Sequence, residues 1–191
     1  MARAGAETRE RLLGAIIDHV QRGGISDLSL RDLAAAVGTS HRMLIYHFGS
    51  REGVLVAVVQ AVEAAQRAFL AQLLAESPDL SPTETMRTMW QRFADPALWP
   101  NERLFFELYG QALQDRPGTA GLLGDIVDTW LEPMTEYAVI RGWDPRTARA
   151  EVRLSIAVMR GLLLDLLATR DRAAVDAALE RYLARFDAAG A

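Results

Sequence analysis

Apolar residues recur at helical spacing along nearly the whole chain, and no stretch alternates in the manner of a strand. Leu12, Ile16 and Val20 form one row, with Leu13 and Ile17 beside it, which predicts a helix over residues 8–21 closed by Gly23-Gly24. Leu30, Leu33, Ala34 and Val37 fall at i, i+3, i+4 and i+7. Ser29 is placed to cap that second helix, with Asp32 reaching back as in a capping box, and Gly38 to end it. Ser40 caps a third, short helix. Its Leu44 and Phe48, four apart, face inward and leave His41, Arg42 and Met43 on the outside.

A long helix follows from a cap at Ser50 to residue 76, carrying Leu55, Val58, Val59, Val62, Phe69, Leu70, Leu73 and Leu74. Ser77-Pro78-Asp79-Leu80-Ser81-Pro82 breaks it. Further helices are predicted over residues 82–94, 101–114, 119–140, 145–169 and 171–187. Pro133 is predicted to kink or split one of them near Leu131. The fold class is all-α, with about nine helices.

The stretch of residues 28–51 reads as two short helices around a tight turn, a shape suited to major-groove insertion. Its sequence resembles the helix-turn-helix of the TetR family of one-component transcriptional regulators. The likeness lies in the small-apolar run Ala34 to Gly38, the cap Ser40, then Leu44, Tyr46-His47-Phe48, Gly49-Ser50 and the basic Arg51. Two positions depart. Ile45 stands where the family usually has a phosphate-contacting Tyr, with Tyr46 following, which bears on one backbone contact. Arg42 stands where Gly or Pro is common, and can add a base or phosphate contact.

The resemblance implies a DNA-binding domain over residues 1–50 and a ligand-binding and dimerisation domain over 51–191, with the long fourth helix joining them. It further implies a homodimer on a palindromic double-stranded DNA operator, released by a small-molecule effector, with repression the usual outcome. His41, Arg42, Met43 and Tyr46 are the expected contacts to base edges or nearby backbone, since Arg grips guanine and Met can touch a thymine methyl. Ser29, Arg31, Ser40, His47 and Arg51 are the expected phosphate contacts, which position without specifying. Arg3, Arg9 and Arg11 lie near the start, where the family often sets an arm against the backbone.

Composition changes the picture only in part. The net charge of −4 does not itself point to nucleic acid. Its distribution is more telling: residues 1–51 hold seven Arg against five acidic residues, and the remainder fourteen against twenty. Every basic residue is Arg. No cysteine is present, so disulfides, thiol nucleophiles and Cys-ligated metals are excluded. Neither a signal core nor a charge-free apolar run long enough for a membrane span is read, and the cytoplasm is the expected location.

The central helices concentrate rings and thioethers, which line apolar cavities well. Met86, Met89, Trp90, Phe93, Phe106, Tyr109, Trp130 and Met134, with Glu107 and Gln111 as polar contacts, are the expected effector-binding residues. Trp99, Phe105, Tyr137 and Asp128 lie among them. The lack of Lys and His there favours a neutral, aromatic or cationic effector over a strongly anionic one. Over residues 152–167 apolar side chains run almost all round the helix, so both sides need cover. Val152, Ile156, Met159, Leu163, Leu179, Leu183 and Phe186 are the expected dimer interface, in a two-fold four-helix arrangement. The alternative is a monomer with that helix central in one core.

No catalytic set, metal-binding pattern or cofactor fingerprint is recognisable, so no enzyme activity, metal or cofactor is expected. The histidines His19, His41 and His47 lie near the start, and the last two are six apart, off a common helical face. Two other functions remain open. One is a helical small-molecule-binding protein without operator binding, which Ile45 favours. The other is a helical enzyme acting on an apolar substrate.

Overall fold

The computed structural model describes residues 2–23, 29–124 and 126–189. Gly24, Leu28 and the side chain of Arg3 lie outside the described residues. Within them the chain forms nine α-helices and two 3-10 turns, and no strand. The helices are α1 (Ala2–Gly23), α2 (Leu30–Ala36), α3 (His41–Phe48), α4 (Arg51–Glu76), α5 (Pro82–Phe93), α6 (Trp99–Ala112), α7 (Asp128–Ile140), α8 (Pro145–Thr169) and α9 (Arg172–Ala189). The 3-10 turns are Pro96–Leu98 and Ala120–Leu122.

Contacts divide the chain into two compact units: residues 1–66 with 97–124, and residues 67–96 with 125–191. This division differs from a cut at residue 50. Residues 49 and 50 form only the turn between α3 and α4, and α6 joins the first unit by packing on α1.

In the first unit, Leu12, Ile16 and Val20 of α1 are buried as one row. They share the core with Leu30, Leu33 and Ala34 of α2, Leu44 of α3, Val54, Leu55, Val58 and Val59 of α4, and Leu104, Phe105 and Leu108 of α6. Each large side chain removed from water contributes about 1.5–3 kcal/mol. Helix α1 begins earlier than predicted because Ala2, Ala4 and Ala6 favour helix. Helix α6 begins at Trp99 because Pro100 is tolerated in a first turn.

Helix α4 alone among the described residues is long and apolar enough to cross a membrane, by length and composition only. A buried face that includes Val54, Val58 and Val59 is what the core helix of a helical unit also presents.

In the second unit α8 packs between α7 and α9, and α9 also meets α5. The core holds Trp90, Leu131, Leu163, Leu166, Val175, Leu179 and Leu183. Helix α8 starts on an Asp144 cap whose carboxylate accepts from the Thr147 N–H at 2.9 Å. The helix predicted over 119–140 is corrected. The segment carries a 3-10 turn, and α7 begins only at Asp128. Gly118 has φ +86, and Gly121 and Gly124 weaken helix on both sides of Leu122. Pro133 does not split α7 at Leu131. It sits early in the helix, so the only internal bond it forfeits is the one to the Thr129 carbonyl.

Candidate nucleic-acid interface and effector site

The α2–α3 turn is built from local hydrogen bonds. The Ser29 Oγ accepts from the Asp32 N–H at 3.2 Å and donates to the Asp32 carboxylate. Thus Asp32 reaches the Ser29 hydroxyl. At the other end of α2, Gly38 takes φ +67, and the Thr39 N–H donates to the Ala34 carbonyl at 2.9 Å. The Gly38 N–H donates to Ala35, completing a Schellman closure. Ser40 then caps α3 by accepting from the Met43 N–H at 3.2 Å. Ser50 caps α4 by accepting from the Gly53 N–H at 3.0 Å.

These caps orient α3 so that its back is anchored and its front is open. Leu44 is fully buried, and Phe48 is half-buried with the Arg9 guanidinium 5.1 Å over its ring. His41 and Arg42 are exposed, and Tyr46 is 77% exposed on the row that Arg42 begins. Met43 is half-buried. Ser29, Arg31 and Ser40 are exposed beside them, and Arg51 is half-buried. Most of the expected DNA contacts are therefore exposed or half-buried on α2, α3 and the start of α4, with two qualifications. The Nε2 of His47 is buried and unpaired, so that nitrogen does not face a phosphate. Ile45, 39% exposed, occupies part of the outer surface with an apolar side chain.

The expected effector residues fall in both units. In the first, Phe105 stacks on Tyr109 at 5.8 Å and meets Phe106 edge-on at 5.2 Å. Gln111 donates to Glu107 at 3.2 Å on the same helix. In the second, Phe93 and Trp130 meet edge-on at 6.2 Å, and Met86 and Met134 are half-buried. Met89 and Trp90 are buried, and the Trp90 Nε1 donates to Asp176 at 2.6 Å.

A polar cluster that sequence reasoning missed lies in the first unit. The Gln66 Nε2 donates to the Glu102 Oε1 at 3.3 Å, both residues being buried, and the neighbouring Asn101 is buried with its Oδ1 unpaired. The signal was a glutamine on an apolar helical row, Val59, Val62, Gln66 and Leu70.

The expected dimer residues need correction. Leu163, Leu179 and Leu183 are buried within the protomer, because α7, α8 and α9 pack on one another. They cannot belong to a surface shared by two copies. Val152, Ile156, Met159 and Phe186 are half-buried. The large exposed apolar residues of α8 are instead Leu154 and Leu164, with exposed Ala157 and Gly161 between them.

An all-helical chain that presents a short, capped helix beyond a left-handed glycine turn is a helix-turn-helix protein. Residues 12–58 match the family model for bacterial regulatory proteins, tetR family. The HTH-type transcriptional regulator SrpR of Pseudomonas putida is 26% identical over 165 residues, covering 84% of this chain and 74% of that protein. The crystal structure of a TetR-family protein from Rhodococcus sp. superposes with a TM-score of 0.71 at 22% identity, over 96% of this chain and 98% of that one. The multidrug binding protein EbrR complexed with proflavin superposes with a TM-score of 0.62 at 28% identity, over 93% and 98%. Residues 12–58 thus carry a helix-turn-helix segment of the tetR family, and most of the chain is similar in sequence to a transcriptional regulator of the HTH type.

Proposed function

We propose that this chain is a repressor that grips a pseudo-palindromic operator as a homodimer and lets go when a small molecule binds. The observation that carries the reading is the open front of α3, with His41, Arg42 and Tyr46 exposed over a fully buried Leu44. Those three side chains and Met43 read base edges or adjacent backbone. Ser29, Arg31, Ser40 and Arg51 hold phosphates, helped by the amide groups at the starts of α2 and α3. His47 supports Tyr46 by edge-on ring contact at 4.9 Å. The regulator acts by binding, not by turnover, and works in the cytoplasm beside the chromosome.

A second copy covers the outer face of α8, where Leu154, Ala157, Gly161 and Leu164 follow the 3-and-4 spacing of a helix-pairing seam. Two reading heads related by such a two-fold axis contact half-sites roughly 34–36 Å apart. Helix α4 starts directly after α3 and runs unbroken to Glu76. An effector that favours a shifted α4 changes the separation of the heads and forfeits simultaneous contact. The effector is neutral, aromatic or cationic, a reading supported by the proflavin complex of EbrR.

Selection of bound fragments from the source genome yields the operator, and a gel shift then tests the reading. Arg42→Ala weakens specific binding by about 1–3 kcal/mol and relaxes one base position. A folded dimer that shifts no selected fragment at low salt refutes repression. It would favour a helical ligand-binding protein without operator contact, for which Ile45 is the supporting residue.

A further inference from the structure

The corner between α3 and α4 and the turn after α6 lie in the first unit, and two glycines let the backbone crowd there. A Cβ on Gly53, in the first turn of α4, would overlap the Phe48 carbonyl oxygen at the end of α3. The second glycine is Gly118, with φ +86. A Cβ there would stand 2.9 Å from the Glu52 Cβ, 3.6 Å from its Cγ and 3.7 Å from the Ser50 Oγ. Ordinary carbon contacts are about 3.5–4.0 Å. The Glu52 Cβ is bonded to the backbone of α4, so it cannot swing aside as a side-chain tip can. The turn that carries Gly118 is tied as well. The buried Thr119 donates to the Arg116 carbonyl from Oγ1 at 2.8 Å and from its N–H at 3.2 Å.

We infer that Gly118 is a positioning residue for DNA reading: its missing side chain lets the turn after α6 abut the first turn of α4, and this contact sets the pose of α3. The inference rests on the reading of the chain as an operator-binding regulator. Gly118 acts through Glu52 and Ser50. Ser50 caps α4 by accepting from the Gly53 N–H at 3.0 Å, and only Gly49 separates it from the end of α3. Gly53 leaves no slack against the Phe48 carbonyl, so a shift of the first turn of α4 passes to α3. Contacts to base edges demand exact distance and angle, and they alone carry the sequence information. A displaced α3 therefore loses preference for the operator.

The test divides the affinity of the full chain for the selected operator by its affinity for random DNA at one salt concentration. Gly118→Ala lowers this ratio by about tenfold or more. Gly142, between α7 and α8, is the control, with φ +92 and nothing within 4 Å of an added Cβ. Alanine bears left-handed strain at either position, but meets Glu52 only at 118. Gly142→Ala leaves the ratio within about twofold. Adding Glu52→Gly to Gly118→Ala removes the Cβ that the alanine meets, and returns the ratio to within about threefold of native. The lost charge at residue 52 acts on both DNAs alike and cancels in the ratio. If Gly118→Ala does not fold, Gly118→Asn takes its place, since asparagine accepts a left-handed backbone and presents the same Cβ.

The inference is overturned if the variant at 118 keeps the native ratio or if Gly142→Ala lowers it as far. A folded double variant whose ratio stays low overturns it too. A native chain that prefers no fragment over random DNA ends the regulator reading, and this inference with it. A native preference that substitution of Gly118 leaves intact ends this inference alone.

Discussion

Two polar clusters sit beside aromatic rings in this chain, one half-buried in the second unit and one buried in the first. In the second unit the Trp90 Nε1 donates to Asp176 at 2.6 Å, and Arg172 donates from Nε to both oxygens of the same carboxylate. The remaining Arg172 nitrogens reach the Ala94 carbonyl at 3.2 Å and the Gln91 side chain at 2.7 Å. Each of these donors has an acceptor, and the network fixes α5 on α9. In the first unit Gln66 donates to Glu102 at 3.3 Å, and the Oδ1 of the buried Asn101 is unpaired. A closed network holds a register, whereas a buried oxygen without a partner carries an uncompensated cost.

That difference is exposed first by deletion in the closed cluster. Trp90→Ala removes a fully buried ring and one donor from Asp176, which keeps its bonds from Arg172. The expected loss of stability is about 3–5 kcal/mol, read from urea midpoints at constant slope. Asp176→Ala keeps the ring but leaves its N–H without an acceptor and Arg172 without its carboxylate. The expected loss is about 1–3 kcal/mol, moderated because the Asp176 side chain is 39% exposed. A cost of only a few tenths would mean that water replaces the carboxylate freely, and the contrast between the clusters would collapse.

The open cluster answers the same deletion differently. Asn101→Leu is expected to leave stability within about 1 kcal/mol of the native chain, with a gain as the predicted sign. A loss approaching that of Asp176→Ala would show that Asn101 is a structural tie and that the two clusters are alike.

Much of this architecture was readable before any coordinates. Ser29, Ser40 and Ser50 announced their helices because a side-chain oxygen three residues ahead of a free N–H is a local matter. The outward set of α3 followed from the positions of Leu44 and Phe48. What failed was whatever depended on neighbours distant in sequence. Leu122 and Ile126 continue a helical period, so residues 119–127 looked helical until Gly118, Gly121 and Gly124 are weighed together. The apolar girth of α8 announced that both sides need cover. It did not say that Leu163 faces its own unit while Leu164, one residue on, is 51% exposed. Likewise Trp90 read as cavity lining because its acceptor, Asp176, lies on another helix.

The smallest expected effect concerns the rim of the closed cluster and shows why its interior carries the stability. Arg87 of α5 grips Glu180 of α9 at 2.8 Å through Nε and Nη2. The side-chain hydrogen bond from Arg87 draws the Glu180 carboxyl below its ordinary value of 4.5, against the opposing pull of desolvation. A carboxylate whose native pKa is depressed adds stability above its unfolded value. That contribution drains away as the pH falls through the native value. Glu180→Gln should therefore lower the urea midpoint slightly at neutral pH. The two chains should converge once the pH is well below 4.5. The gap should also shrink in high salt, since both partners are largely exposed. A gap that persists unchanged into acid would mean that Glu180 stabilises the α5–α9 seam by packing rather than charge. The closed cluster would then extend to the surface, and the line drawn between it and Asn101 would have to be redrawn around a larger network.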